Sequence, residues 1–239
     1  MYGGVYGMNF SLGQYWGKKY NELRNFRAYI NFVLKENIKF SDFRKHWEIL
    51  HDPNMYNYFI PRKGNIIYDI GSQFGDYALL WEKRYGAFVY AFELLRENYK
   101  EMLRDLKLNK SKIESFNFAI GNGEVLFYTV KGNMAVNEYS WNHVKSVKLD
   151  YLIYDRLYKI PDLIKIDTEG FEYKILEGSD RFLKEHSPKI IIETHSKELR
   201  EKCHKFLSER NYLLVGQGRT VFNKSGNEII NLFYSKVVK

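Results

Sequence analysis

The chain has 239 residues, 45% of them hydrophobic and 28% charged, the composition of a folded globular protein and not of a disordered one. Lysine and arginine outnumber aspartate and glutamate by 37 to 29, a net charge of +8 that suits anionic partners. The excess is spread along the chain, and Lys107, Lys110 and Lys112 are the nearest thing to a patch. One cysteine, Cys203, excludes an internal disulfide and a multi-thiolate zinc centre. The opening MYGGVYGMNFSLGQYW lacks the basic-then-apolar plan of a secretory leader, and no stretch is apolar enough to span a bilayer. The expected setting is therefore cytoplasmic, with no membrane partner.

Residues 1–17 carry Gly and Tyr without periodicity and are expected to form a loose arm. Residues 19–36 show helical spacing, with Tyr20, Leu23, Phe26, Ile30, Val33 and Leu34 near one face. A second helix is expected after Ser41 as N-cap, turning Phe43, Trp47 and Leu50 inward and ending at Asp52-Pro53-Asn54. Residues 1–62 thus read as an arm and helical cap, and 63–239 as the main domain.

From Asn65 the rhythm changes. The β-branched run 66–70 precedes a helix at 75–85, a strand at Phe88–Phe92, a helix at 96–107 and a strand at Glu114–Ile120. Such alternation predicts right-handed βαβ units on a parallel sheet. Val125–Val130 reads as a strand after Gly121-Asn122-Gly123, 131–143 as a loop and Val144–Asp150 as another strand. The α/β pattern resumes with a strand at Leu163–Asp167, helix within 171–185, a strand at Lys189–Glu193 and a helix at 197–209. Strands at 212–217, 220–223 and 231–236 close the chain.

Four strand ends carry chemistry. In Asp69-Ile70-Gly71-Ser72-Gln73-Phe74-Gly75, Gly71 lets a ligand approach the backbone and Gly75 brings the helix start close to the strand. Glu93 ends the next strand, where an acid can accept hydrogen bonds from ribose hydroxyls. A nicotinamide dinucleotide needs Gly-x-Gly-x-x-Gly, which this loop lacks. Two acids suit a cationic ligand instead, such as the sulfonium and ammonium of S-adenosylmethionine. Asp167 and Glu169 follow an apolar strand, where carboxylates lose hydration unless they have work to do. That work is gripping a substrate, taking a proton or holding a divalent metal. Glu172 reads equally well as a cap of the following helix. Glu193 and His195, two apart, share a face, and the histidine can take a proton near neutral pH.

Together these residues resemble the FkbM-type methyltransferases, a branch of the class I S-adenosylmethionine-dependent enzymes. The resemblance spans about residues 64–195 and rests on Tyr68–Gly75, Ala91-Phe92-Glu93, Phe118–Gly121 and Leu163–Glu172. Ser72-Gln73 stands where the family more usually has Ala-Asn, and Leu94-Leu95 follows Glu93 where it usually has Pro. The resemblance implies an α/β fold, a doubly wound, mostly parallel seven-stranded sheet of Rossmann-like form with one antiparallel strand near the C-terminus. It implies that Asp69, Gly71, Ser72 and Gly75 lie at the methionine end of the cofactor, Glu93 at the ribose, and Asn117 and Ala119 near the adenine. It also implies a small-molecule or glycan hydroxyl as acceptor. Asp167, Glu169 and His195, in that order, are the candidates for handling its proton, and no metal is assigned. RNA or DNA methylation, suggested by the charge, is less favoured, because Asp167-Thr168-Glu169-Gly170 turns acids toward any polyanion. A non-catalytic domain of the same fold is the remaining alternative.

Overall fold

The computed structural model describes residues 27–46, 49–50, 55–128, 142–222 and 226–237. The expected arm at 1–17, the residues Tyr20, Leu23, Phe26 and Trp47, the Asp52-Pro53-Asn54 break and most of the 131–143 loop lie outside these, as does the side chain of Phe43.

The strands are β1 (Ile66–Ile70), β2 (Phe88–Phe92), β3 (Glu114–Phe116), β4 (Val125–Tyr128), β5 (Asn142–Lys145), β6 (Leu163–Ile166), β7 (Lys189–Thr194), β8 (Tyr212–Gln217), β9 (Val221–Phe222) and β10 (Glu228–Lys236). The helices of the main domain are α1 (Asp76–Tyr85), α2 (Arg96–Leu108), α3 (Leu149–Tyr154), α4 (Glu172–Glu177), α5 (Asp180–Glu185) and α6 (Lys197–Ser208). Seven strands run in the order β3-β2-β1-β6-β7-β10-β8, with β9 added beside β10. The pairs from β3 to β7 are parallel, and β10 is antiparallel to both its neighbours. This is the expected doubly wound, mostly parallel sheet. Its order reverses beside β1, the place where such sheets leave a crevice at the carboxyl ends of their strands.

Both faces of the sheet are covered, so the central strands are mostly apolar, with Asp69, Lys165 and Glu193 the charged residues toward their carboxyl ends. Tyr68, Ile70, Phe92, Ile164, Ile166 and Ile192 pack on one face against Leu152, Ile175, Phe182 and Leu207 of α3, α4, α5 and α6. Ile67, Val89, Ala91, Leu163 and Ile191 pack on the other against Leu79, Leu80 and Trp81 of α1 and Met102 of α2. Phe32, Ile38, Phe40, Ile49, Tyr56 and Phe59 from the N-terminal segment complete this second core. Each such large side chain taken fully from water contributes roughly 1.5–3 kcal/mol. His46 ties the segment down: its Nδ1 is 2.5 Å from Asp76 Oδ1 and its Nε2 is 3.1 Å from Asp105 Oδ2, with His46 and Asp105 fully buried. Burial opposes its charge, but the carboxylates of Asp105 and Asp76 push its pKa up to about 9.

Local departures from the sequence pattern have identifiable causes. Within the helical residues 27–36 the buried face centres on Phe32, while Ile30 and Leu34 are exposed. Phe43–Lys45 is a 3₁₀ turn, residues 49–50 are helical with Leu50 buried as expected, and Ser41 does not act as a cap through its side chain. Its hydroxyl donates to Glu101 and its N–H to Asp105, both on α2. The strand expected over 114–120 stops at Phe116, with an isolated bridge from Ile120 to Val147 beyond it. The strand expected over 144–150 is instead a short strand, a bridge and the start of α3, because Leu149, Leu152 and Ile153 have helical rather than alternating spacing. β4 and β5 form a hairpin off the main sheet. The helical stretch 171–185 breaks at Gly178-Ser179, where a Cβ on Gly178 would lie 1.8 Å from the Gly121 carbonyl oxygen.

Candidate active site

Strand alternation brings the polar residues together. Ile67, Val89, Ala91, Leu163 and Ile191 mark the sheet face covered by α1, α2 and the N-terminal segment. Counting in twos places Asp69, Glu93, Lys165, Asp167, Glu193 and His195 toward that same face at the strand ends. Asp69 pairs with Lys165 across β1 and β6, and with Ala91 across β1 and β2. The result is one open cleft of about 1130 Å³ with the open solvent at its mouth included.

On the β1–β2 side, Gly71 and Ser72 donate their N–H groups to the Phe92 carbonyl. Gly71 has φ +79°, and a Cβ there would lie 1.7 Å from the Asp167 carbonyl oxygen, so only glycine allows the two loops to meet. Ser72 Oγ donates to the Asp69 carbonyl at 2.7 Å. Glu93 accepts the N–H of Gln73 on one oxygen at 2.8 Å and that of Leu95 on the other at 2.7 Å. Burial nevertheless pushes its pKa up to about 7, against those two donors. Asp69 and Glu93 both line the cleft, together with Gly71, Ser72, Ala119 and the apolar Leu95, Phe118, Ile120 and Leu126.

At the centre stands Lys165, fully buried. Its Nζ donates to the Gly71 carbonyl at 2.9 Å and lies 3.4 Å from Asp69 Oδ1 and 3.3 Å from Asp167 Oδ2. Burial works against its charge, but Asp167 and Asp69 outweigh it and hold the ammonium protonated. Burial raises the Asp69 carboxyl while Lys165 pulls it down, and its Oδ1 has no hydrogen-bond partner among the described residues.

On the β6–β7 side, Asp167, Glu169 and Glu193 line the cleft and His195 stands behind them. Glu169 is a non-glycine residue at φ +57°, the kind of backbone strain that a functional turn stores. Glu172 holds that turn: its Oε1 accepts the N–H groups of Thr168 and Gly170 at 2.9 and 3.1 Å. Burial opposes the charge of the His195 ring, but Glu172 and Glu193 push its pKa up to about 11.

Two expected residues stand elsewhere. Gly75 does not line the cleft; a Cβ there would lie 2.8 Å from Met102 Cγ, so this glycine admits α2. Asn117 is exposed and outside the cleft, with its amide donating to the carbonyls of Glu93 and Leu94 at 2.8 and 3.0 Å. Lys165 and Tyr56 gave no such signal in advance. A lysine inside an apolar strand hints at the first, but its register with Asp69 emerges only in the folded sheet. Nothing in the sequence singles out Tyr56, whose ring lies 5.8 Å from Lys165 Nζ.

A strand order that reverses beside a glycine turn, with acids at the ends of β1, β2, β6 and β7, defines a Rossmann-like fold of the class I methyltransferase kind. Residues 69–219 match the family model of the methyltransferase FkbM domain, and the chain belongs to that family. Among solved structures it is similar to methyltransferase FkbM from Methylobacillus flagellatus KT, with 17% identity, a TM-score of 0.52, and coverage of 91% of this chain and 60% of that one. It is also similar to a methyltransferase from Pyrococcus furiosus, with 14% identity, a TM-score of 0.50, and coverage of 93% and 99%. A protein of the NADB-Rossmann superfamily from Streptococcus agalactiae aligns with 15% identity and a TM-score of 0.51 over 78% of this chain and 68% of that one. At these identities the likeness is one of fold. No curated protein matches the sequence. Among the described residues no helix is long and apolar enough to cross a membrane.

Proposed function

We propose that the protein transfers the methyl group of S-adenosylmethionine to a hydroxyl oxygen of a small molecule or sugar. The observation that carries this reading is that Asp69 and Glu93 wall one cleft on either side of the Gly71 turn. The cleft suits a sulfonium nucleoside. Asp69 lines it with a carboxylate whose charge it shares with Lys165, and Leu95, Phe118, Ile120 and Leu126 offer apolar walls to an adenine. When bound, the cofactor supplies an electrophilic methyl carbon.

The chain's own residues do the rest. Glu93 accepts hydrogen bonds from the ribose hydroxyls, its orientation fixed by the Gln73 and Leu95 amides. Asp69 attracts the cationic end, and Lys165 keeps Asp69 and Asp167 from repelling each other. Asp167 and Glu169 face the cleft and take the proton of the acceptor hydroxyl; His195, behind them, steadies those carboxylates. Tyr56, from the segment ahead of β1, lines the cleft and limits water there. Holding acceptor and methyl donor in line is the main source of acceleration.

Calorimetry with S-adenosylmethionine, S-adenosylhomocysteine and NAD tests the reading. The first two are expected to bind with dissociation constants of ~1–100 μM and NAD at least ~100-fold more weakly. Asp69→Asn is expected to weaken the sulfonium ligand by ~10-fold or more, the scale of one charge-assisted contact. Tighter binding of NAD, or no binding of any of the three, sinks the proposal.

A further inference from the structure

At the β6–β7 end of the cleft the His195 imidazole sits within a ring of carboxylates. Its Nε2 is 3.4 Å from Glu193 Oε1, 3.6 Å from Glu169 Oε2 and 3.8 Å from Asp167 Oδ1. Its Nδ1 is 3.5 Å from Glu172 Oε1. Both ring nitrogens are shut off from solvent, and neither has a hydrogen-bond partner among the described residues. The gaps are wider than N–H···O bonds, which close at ~2.7–3.2 Å. The Glu193 and Glu169 gaps match ligands that share a cation, and the Asp167 gap is slightly wider. Two donors each ~2.1 Å from a tetrahedral ion stand ~3.4 Å apart. Neighbouring donors around an octahedral ion with bonds of ~2.3–2.6 Å stand ~3.3–3.7 Å apart.

A second observation concerns the far side of the ring. A histidine that ligates a metal through one nitrogen usually turns the other toward a carboxylate that fixes its orientation. Glu172 occupies that position: it is fully buried, and the Thr168 and Gly170 amides hold the oxygen that faces Nδ1. The charges point the same way. Asp167, Glu169, Glu172 and Glu193 crowd one imidazole, and the Lys165 ammonium beside Asp167 is already shared with Asp69.

We infer that Asp167, Glu193 and His195 bind a divalent cation, with Glu169 on its cleft side and Glu172 orienting the imidazole. The donor atoms of the three ligands lie within 4.8 Å of one another. Two carboxylates and an imidazole suit an ion of intermediate hardness, of which Mn²⁺ is the practical probe. The site itself does not depend on the methyl-transfer reading. Its role does: on that reading the ion binds the acceptor oxygen and makes its O–H easier for Glu169 to deprotonate, with Asp167 serving as ligand instead of base. The acceptor class then narrows to molecules that present an oxygen to a metal.

The test uses the full chain, stripped with a chelator, exchanged into metal-free buffer and titrated with Mn²⁺. Electron paramagnetic resonance reads the loss of the free-ion signal. One Mn²⁺ per chain is expected, with affinity falling at least ~10-fold in His195→Gln and in Glu193→Gln and by a similar factor in Glu172→Gln. Spin-echo modulation of the wild-type complex is expected to show a directly bound nitrogen, a readout that survives any misfolding of the variants. Absence of binding at ~1 mM Mn²⁺, Mg²⁺ and Zn²⁺, affinity unchanged in all three variants, or bound Mn²⁺ without nitrogen coupling would each overturn the site. S-adenosylhomocysteine calorimetry in chelator separates the two readings. Cofactor binding without Mn²⁺ binding removes the ion alone, and Mn²⁺ binding without cofactor binding removes the methyl-transfer reading alone.

Discussion

At the β1–β2 end of the cleft, Glu93 places each of its oxygens on a backbone N–H, from Gln73 and from Leu95. At the β6–β7 end, four carboxylates surround the His195 ring at 3.4–3.8 Å without a hydrogen bond to either nitrogen. Both ends bury acids, and burial raises the pKa of Glu93 on one side and of Glu169 and Glu193 on the other. Fixed main-chain dipoles complete the first end before any ligand arrives, which suits positioned hydrogen bonds to a nucleoside. The second end gathers four carboxylates around one imidazole and one buried lysine. Such an arrangement is costly unless a cation or a polarised hydroxyl completes it.

The ends meet at Gly71, and the largest effect comes from breaking that joint. Its N–H reaches the Phe92 carbonyl on one side, and its carbonyl takes the Lys165 ammonium on the other. Gly71→Ala forces a Cβ to within 1.7 Å of the Asp167 carbonyl oxygen at φ +79°. Left-handed strain and overpacking together are expected to cost roughly 2–6 kcal/mol, a large part of a typical domain's stability. Denaturant unfolding checks this, and both S-adenosylhomocysteine and Mn²⁺ affinity should fall together. Full stability with loss at one end alone would show that the ends are not joined here.

The sequence announces the first end more clearly than the second. β1 and β2 are short β-branched and aromatic runs closed by glycine or a charged residue, and their bounds follow directly from that pattern. Asp69, Glu93, Asp167 and His195 are legible because each follows an apolar run at a strand's carboxyl end. What escapes is long-range. Lys165 gains its role from Asp69 in the neighbouring strand, and Tyr56 reaches the cleft from a segment whose own spacing misleads about its buried face. The start of α3 is lost for a local reason, since Val147-Lys148-Leu149-Asp150 alternates like a strand until Leu152 and Ile153 reveal the helical period.

The next effect sharpens the contrast by isolating Glu93. Its pKa rises from 4.5 to about 7 in the folded chain because burial disfavours the charge. The protonated acid is therefore the form that folding favours. Its contribution to stability is complete below pH 4.5 and is lost as pH rises through about 7. At 1.36 kcal/mol per pKa unit the span is roughly 3 kcal/mol. Glu93→Gln, which cannot ionise, is expected to remove this slope between those pH values. Urea midpoints of the two proteins across that range read the difference, and parallel curves would refute it.

Asn117→Ala is the smallest change and the finest discriminator at the β1–β2 end. The amide bridges the Glu93 and Leu94 carbonyls from outside the cleft, so its removal loosens the loop that carries the Glu93 carboxylate without touching a ligand. Exposed hydrogen bonds of this kind are worth ~0.5–1.5 kcal/mol each at most, and water replaces part of them. Stability is expected to fall by under ~1 kcal/mol, and S-adenosylhomocysteine affinity by no more than ~5-fold, since the Gln73 and Leu95 amides still hold Glu93. Mn²⁺ affinity should not move, because nothing in this bridge reaches β6 or β7. A fall of ~50-fold or more in nucleoside binding at unchanged stability, over 2 kcal/mol by the usual conversion, would mean that Asn117 touches the adenine directly. The first end would then owe its selectivity to a side chain at the rim as well as to main-chain donors within.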